Sequence, residues 1–254
     1  MAQGTTIGFE TRLARTQEEM RAAQCLRYEV FVEELGGSGP LVDHANRLER
    51  DQFDPHCDHL MLIDTQTDAV VGVYRLMRRE MAQRAGGFYS AAEYDLGPLL
   101  TSGRRLLELG RSCVHPDYRG GVAMHHLWTA LGRYVTDHKI DILFGVASFH
   151  GTDFAALAQP LSLLHHRHLA PPELRVRALE KSFQAMGLVA PDDLDRKAAM
   201  VQMPSLIKAY LRLGGCVGEG AFVDHAFNTV DVCLIMDTAL LSARQRRIYT
   251  VQGS

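Results

Sequence analysis

The sequence is short of almost everything that marks a secreted, membrane or nucleic-acid-binding protein. Cysteine is sparse: Cys25, Cys57, Cys113, Cys216 and Cys233 are odd in number, scattered, and form no CxxC pair. That excludes a disulfide framework and a cysteine zinc site, and it suits free thiols in a reducing compartment. An excess of one charge is also missing, since 27 Lys and Arg face 30 Asp and Glu. Nucleic-acid binders are usually basic, so no nucleic-acid partner is expected. No apolar run is long enough to span a bilayer. Met1-Ala2-Gln3-Gly4-Thr5-Thr6 lacks the basic start and apolar stretch of a secretion signal, so the expected location is cytoplasmic. Repeats and low-complexity segments are absent. What is present is ordinary for a globular protein: 46% hydrophobic and 22% charged residues over 254 positions, enough for one domain spanning 1–254.

One stretch organises the rest. Leu106-Leu107-Glu108-Leu109-Gly110-Arg111-Ser112-Cys113-Val114 reads as an apolar strand, broken at His115-Pro116 and followed by Arg119-Gly120-Gly121. A helix then starts near Val122, with apolar residues at Met124, Leu127, Trp128, Leu131, Tyr134 and Val135 in helical spacing. A strand passing through a glycine turn into a helix N-terminus offers backbone N–H groups at the positive end of a dipole, a good place for a phosphate or pyrophosphate. Glu108 and Arg111 interrupt the strand just before that turn. Strand side chains alternate, so positions three apart face opposite ways unless the ladder is reset. Gly110 lies between them, and a bulge there would bring Glu108 and Arg111 onto one face. The competing reading is a buried ion pair beside an ordinary turn.

Elsewhere, Phe9–Ala14 reads as a strand and Gln17–Phe31 as a helix capped by Thr16, with Arg27 on its apolar side. Leu41–His59 is expected to be a long ordered loop rich in charge, including Asp51 and Asp54. Its His56-Cys57-Asp58-His59 run has no partner cluster at zinc spacing, so no metal is expected. Leu60–Asp64 and Val70–Met77 read as paired strands, and Arg75 shares the apolar face of Val71, Val73 and Met77. Further expectations are a loop with a short helix over Tyr89–Leu100 closed by Gly97-Pro98, and a buried strand over Ile140–Val146. A helix is expected over Asp153–His168, a strand over Leu174–Leu179 and a charged loop over Asp192–Lys197. Pro204 should open a helix that runs to Leu213, with last strands at Ala221–Asp224 and Thr229–Met236. The tail Arg244-Gln245-Arg246-Arg247 is basic.

The segment Val114–Val135 resembles the acyl-coenzyme-binding segment of the GCN5-related N-acyltransferases. Arg119-Gly120-Gly121 departs from the usual Arg-x-x-Gly-x-Gly/Ala spacing, with Met124 at the last position. Arg27-x-x-x-Phe31, Asp51-x-x-Asp54, Arg75 and Glu108-x-x-Arg111 resemble acyl-homoserine-lactone synthases, although Leu35-Gly36 is followed by Gly37 where those carry Trp. The fullest resemblance is to the ornithine N-acyltransferases of ornithine-lipid synthesis. It rests on Arg27–Gly36, the Leu-Glu-Leu-Gly-Arg-Ser-Cys-Val-His segment, Leu127-Trp128, Leu206–Gly214, and Val223-Asp224 with Asp231.

The resemblance implies a mixed α+β fold of the GCN5-related type, a central mixed sheet flanked by helices with a helical C-terminal extension. It implies transfer of a 3-hydroxyacyl chain from the phosphopantetheine arm of acyl carrier protein to the α-amine of ornithine, with no permanently bound cofactor. A lipid product implies peripheral contact with the inner membrane. Glu108 and Arg111 would be catalytic, Glu108 as general base. Arg27 or Arg75 would take the acceptor's carboxylate and Asp51 or Asp54 its side-chain ammonium, with Phe31 and Ser112 also at the substrate. Val114, Arg119, Gly120, Gly121 and Val122 would hold the donor. Arg104-Arg105, Arg119, His125-His126 and Arg133 would meet the acidic carrier. A lactone-synthase-like or acetyl-CoA-dependent enzyme, or a non-catalytic carrier-binding module, are the alternatives.

Overall fold

Thr16 opens the first helix through a capping box: its hydroxyl accepts from the Glu19 N–H, and the Glu19 carboxylate accepts from the Thr16 N–H. From such local signals the chain builds, in order, β1 (Phe9–Leu13), α1 (Gln17–Arg27), two short strands β2 (Val42–Asp43) and β3 (Leu48–Glu49), β4 (Asp58–Asp64) and β5 (Ala69–Arg78). Then come α2 (Arg79–Ala85), β6 (Tyr94–Asp95), α3 (Gly97–Thr101), β7 (Leu106–Val114), α4 (Val122–Asp137) and β8 (Ile142–His150). The chain finishes with α5 (Ala158–Arg167), β9 (Arg177–Ala178), α6 (Arg196–Gln202), α7 (Ser205–Arg212), β10 (Cys216–Val217), β11 (Phe222–Asp224) and β12 (Thr229–Asp237). The computed structural model describes residues 8–39, 42–120 and 122–241, which leaves Gly121 and the basic tail at 244–247 outside the described residues.

Several expected elements differ. The first helix continues past Arg27 as a π-helix over Tyr28–Glu34, where Leu35 N–H reaches the Val30 carbonyl five residues back. Gly97-Pro98 opens α3 instead of closing a loop, since proline's fixed φ suits a first turn. The expected strand Leu174–Leu179 shrinks to β9. The expected charged loop Asp192–Lys197 contains the start of α6, because the Asp195 carboxylate caps the N–H groups of Lys197 and Ala198.

The strands form a mixed sheet flanked by helices, and the chain groups into two compact units. The first takes the described residues up to Leu76 together with Gly110–His138. In it β4 pairs antiparallel with β1 on one side and β5 on the other, with Leu13 opposite Leu60 and Met61 opposite Val73. One side of α1 buries Ala23 and Leu26 with Val30 against Met61, Ile63, Val73 and Cys113, and Phe31 packs on this cluster. Helix α4 approaches so closely that a Cβ on Gly72 would stand 3.0 Å from Leu127 Cδ1 and 3.2 Å from Leu62 Cβ.

The second unit takes Met77–Leu109 and residues 139–241. There the first part of β7 runs parallel to β8, from Leu106 opposite Ile142 to Glu108 opposite Phe144. Strand β12 lies antiparallel to β8, β10 and β11. Helices α5, α6 and α7 supply the helical C-terminal part.

Candidate active site

Within the first unit, five of the residues singled out from the sequence meet in one closed circuit. Arg27 lies on the buried side of α1, and its guanidinium donates to Glu49 Oε2 and, at 2.8 Å, to Asp54 Oδ1. Arg111 continues the circuit, donating to Glu49 Oε1 at 3.0 Å and Asp51 Oδ2 at 3.3 Å. Arg75, on the inward face of β5, closes it by donating to Asp51 Oδ2 at 2.6 Å and Asp54 Oδ1 at 3.0 Å. Three arginines and three carboxylates thus alternate around a ring whose formal charges cancel. Gln24 donates to Asp54 Oδ2 at 2.9 Å, and Phe53 N–H donates to Asp51 Oδ1 at 2.9 Å. The loop between β3 and β4 is therefore held by its own acids.

Sequence reasoning missed Glu49. It belongs to a two-residue strand inside a segment without periodicity, and only its spacing two residues before Asp51 hinted at it. It is buried like Arg27 and Asp54, at 2% exposure against 1% for each of those. Buried charges persist only when paired and hydrogen-bonded, and the ring does this for each. Burial opposes ionisation of Glu49, Asp51 and Asp54, but the neighbouring arginines outweigh it and hold all three below their ordinary values. Burial likewise opposes the charge on Arg27, yet Glu49 and Asp54 raise its pKa. His59 lies beside the ring, its Nε2 2.9 Å from the Asp54 carbonyl oxygen, and burial lowers its pKa.

Strand β7 departs from extended geometry at Arg111, one residue past Gly110, where a bulge was expected. The φ of Arg111 is +50°, a left-handed conformation uncommon outside glycine. The ladder between β7 and β8 runs only as far as Glu108 and Phe144. Close to that point a Cβ on Gly145 would collide with the Leu109 carbonyl oxygen, so only glycine lets the two strands approach so nearly.

Glu108 belongs to the second unit and is buried there. Its Oε2 accepts from Tyr89 N–H at 2.9 Å and its Oε1 from Ser90 N–H at 2.7 Å. These amides open a 3-10 turn over Tyr89–Ala92. The two bonds fix the direction of the carboxylate.

The residues expected to hold the donor lie in the first unit. Val114 is buried at the end of β7, and Ser112 just before it is half-buried. Arg119 grips both carboxylate oxygens of Glu34 at 2.6 Å and donates through Nε to the Val114 carbonyl at 2.9 Å. Gly120 has φ +115°, and the exposed Val122 begins α4. The basic residues expected to meet a carrier include several in ion pairs: Arg104 with Asp237 at 2.6 Å and Arg105 with Asp141 at 3.4 Å in the second unit, and Arg119 with Glu34 in the first. His125 and Arg133 are exposed on α4.

Comparison with known proteins adds identity to this geometry. The model of the acetyltransferase (GNAT) domain matches residues 26–129. An L-ornithine N(alpha)-acyltransferase from Rhodobacter capsulatus is 64% identical over 249 residues, covering 96% of this chain and 95% of that protein. Another from Brucella abortus is 44% identical, covering 99% of this chain and 92% of that protein. Among solved structures, the acyl-homoserine-lactone synthase LasI superposes with a TM-score of 0.52 at 15% identity, over 98% of this chain and 100% of that one. FeeM, an N-acyl amino acid synthase from uncultured soil microbes, gives 0.54 at 14% identity, over 98% and 97%. At these identities the structural likeness is one of fold.

Proposed function

The chain belongs to the L-ornithine N(alpha)-acyltransferases, and on that footing we propose that it moves a 3-hydroxyacyl group from acyl carrier protein to the α-amine of ornithine, giving lyso-ornithine lipid. The near-full-length identity to the Rhodobacter capsulatus enzyme carries this reading. The whole chain, residues 1–254, acts as one acyltransferase domain.

The reaction forms a C–N bond and breaks a C–S bond. The acceptor's α-ammonium must first lose a proton, the amine then attacks the thioester carbonyl, and the phosphopantetheine thiolate leaves and is protonated. Glu108 is the general base in this reading, because it is a buried carboxylate whose direction is fixed by two backbone N–H groups. Val114, Arg119, Gly120, Gly121 and Val122 hold the donor in this reading, with the unpaired N–H groups of a helix's first turn suited to the phosphate of its arm. Arg27, Asp51, Asp54 and Arg75 serve the site through the ring. Their charges are engaged with one another, so they fix the loop and the turned backbone at Arg111 next to Ser112. Phe31 anchors the π-helix on the apolar cluster. The protein has no helix, among the described residues, long and apolar enough to cross a membrane, so contact with the lipid product would be peripheral, at the inner membrane.

The test is turnover of 3-hydroxyacyl carrier thioester with ornithine, followed by mass spectrometry of the N-acyl product. Glu108→Gln keeps the shape and should lower kcat about 100-fold or more. Ornithine left unacylated by the wild-type protein would overturn the reaction, and full turnover by Glu108→Gln would remove Glu108 as base.

A further inference from the structure

The second unit holds another set of acids that neither the ring nor the base uses. Glu93, Asp224 and Asp231 each direct a carboxylate oxygen to one place, the three oxygens lying within 4.8 Å of one another. Glu93 and Asp231 are 4% and 5% exposed, so the set is largely withdrawn from water. Asp224 is the last residue of β11, paired opposite Thr229 of β12, and Asp231 lies two residues further along β12 on the same face as Thr229.

Two hydroxyls belong to residues near these acids in the chain or the ladder: Ser90 stands three residues before Glu93, and Thr229 opposite Asp224. Ser90 Oγ and Thr229 Oγ1 are buried and have no hydrogen-bond partner among the described residues, and Ser90 is 0% exposed. Glu93 N–H donates to the Ser90 carbonyl at 3.1 Å, a three-residue bond of the 3-10 type. In that geometry side chains three apart eclipse one another, so Ser90 presents its hydroxyl on the side of Glu93. A buried hydroxyl without a partner costs free energy comparable to a lost hydrogen bond. Two of them, together with the converging acids, point to a polar ligand.

We propose that Glu93, Asp224 and Asp231 hold the side-chain ammonium of the acceptor amino acid. This rests on the reading of the reaction given above. An ammonium carries three N–H donors, and charge-assisted bonds of 2.7–2.9 Å at tetrahedral angles spread their acceptors about 4.6 Å apart. The observed oxygens lie within 4.8 Å of one another, a bound that admits this span. The 3-10 turn over Tyr89–Ala92 links the two jobs: Ser90 N–H orients Glu108, which takes the α-amine's proton, and Glu93 caps the same turn. The field of these acids is visible on Tyr94, whose phenol is raised well above its ordinary value by burial and by Cys233, Glu93 and Asp231.

The experiment compares ornithine with norvaline, which has the same carbon chain and no second amine. The wild-type protein should prefer ornithine by about 100-fold or more in kcat/KM, because a site built to bond a polar group rejects the analogue lacking it. Glu93→Gln, Asp231→Asn and Asp224→Asn should each cut the ornithine-to-norvaline preference about 10-fold or more. Asp224→Asn guards against misfolding, since an amide oxygen can still accept from Ala226 and Phe227 N–H as the carboxylate does. An unchanged preference in all three, with ornithine still acylated, would overturn the assignment alone. Failure of the wild-type protein to acylate either amino acid would overturn the reaction instead. Loss of the preference after EDTA, restored by a divalent metal, would assign the acids to an ion and overturn the ammonium.

Discussion

Arg27→Met should destabilise the protein by about 3 kcal/mol at pH 7. Methionine keeps the apolar stem on the side of α1 but removes the guanidinium that joins Glu49 to Asp54. Deleting one partner of a buried ion pair typically costs about 3–5 kcal/mol, because the other charge stays behind uncompensated. The lower end applies because Glu49 keeps Arg111, and Asp54 keeps Arg75 and Gln24. An exposed pair supplies the control: Arg47 and Glu33 are 57% and 43% exposed, and Arg47→Met should cost less than about 1 kcal/mol. Urea unfolding measures both, followed by circular dichroism and by the fluorescence of Trp128, the chain's one tryptophan, which belongs to the first unit. The pH dependence is a second check. The ring carboxylates are depressed, so their stabilisation is complete above their ordinary values of 3.8 and 4.5 and is lost as pH falls through the native ones. In Arg27→Met the native values of Glu49 and Asp54 rise, so the deficit should narrow on acidification below about pH 5. A loss under 1 kcal/mol at pH 7, or a deficit that widens towards acid, would refute the ring as a coupled unit.

His59 has its pKa lowered from 6.5 by burial, so the unfolded chain takes up its proton first and stability should fall as pH drops below about 6.5. His126, His165 and His168 are lowered too, so the contribution of His59 is read as a shallower slope in His59→Gln, and an unaltered slope would exclude it. Burial pushes the Cys113 thiol up to about 12, and iodoacetamide at pH 8 should leave it unmodified until the protein is denatured; rapid native labelling would contradict its placement. If the donor is a carrier protein, its KM should rise with ionic strength while that of a coenzyme A thioester moves less, and equal use of both donors at all salt concentrations would exclude the carrier.

Much of the fold was legible because its signals are local. Thr16 and Glu19 announce a capping box, and the alternation around Arg75 and the interruption at Arg27 mark charges on buried faces. What those charges meet was not legible. Glu49 joins the ring through the path of the 42–56 loop, which has no period to read. The π-helix over Tyr28–Glu34 was hidden because its hydrophobic residues also satisfy a 3.6-residue repeat. Helix α6 was obscured by its charged start, although Asp195 was a cap signal in plain view. Gly110 and the alternation pointed to a break in this part of the strand, but the left-handed residue is Arg111, whose partners Glu49 and Asp51 lie far off in sequence.

The two charge arrangements answer different physical needs. A ring whose charges cancel and whose members bond one another has little net charge to offer a substrate, so its use lies in holding backbone. Acids that converge on one place create a potential, and a potential acts on protonation. Ornithine brings two amines to the enzyme, and only one must become a nucleophile. In peptides an α-amine loses its proton near pH 8 and a side-chain amine near pH 10, so solution chemistry already favours attack through the α-nitrogen. Glu93, Asp224 and Asp231 would widen that gap by stabilising the charged form of the side-chain amine. Kept protonated, it has no lone pair with which to attack. In the proposed reading Glu108 has the opposite task, to take a proton and let it go. On that proposal, selection of the α-nitrogen follows from placing three acids at one amine and the oriented base at the other.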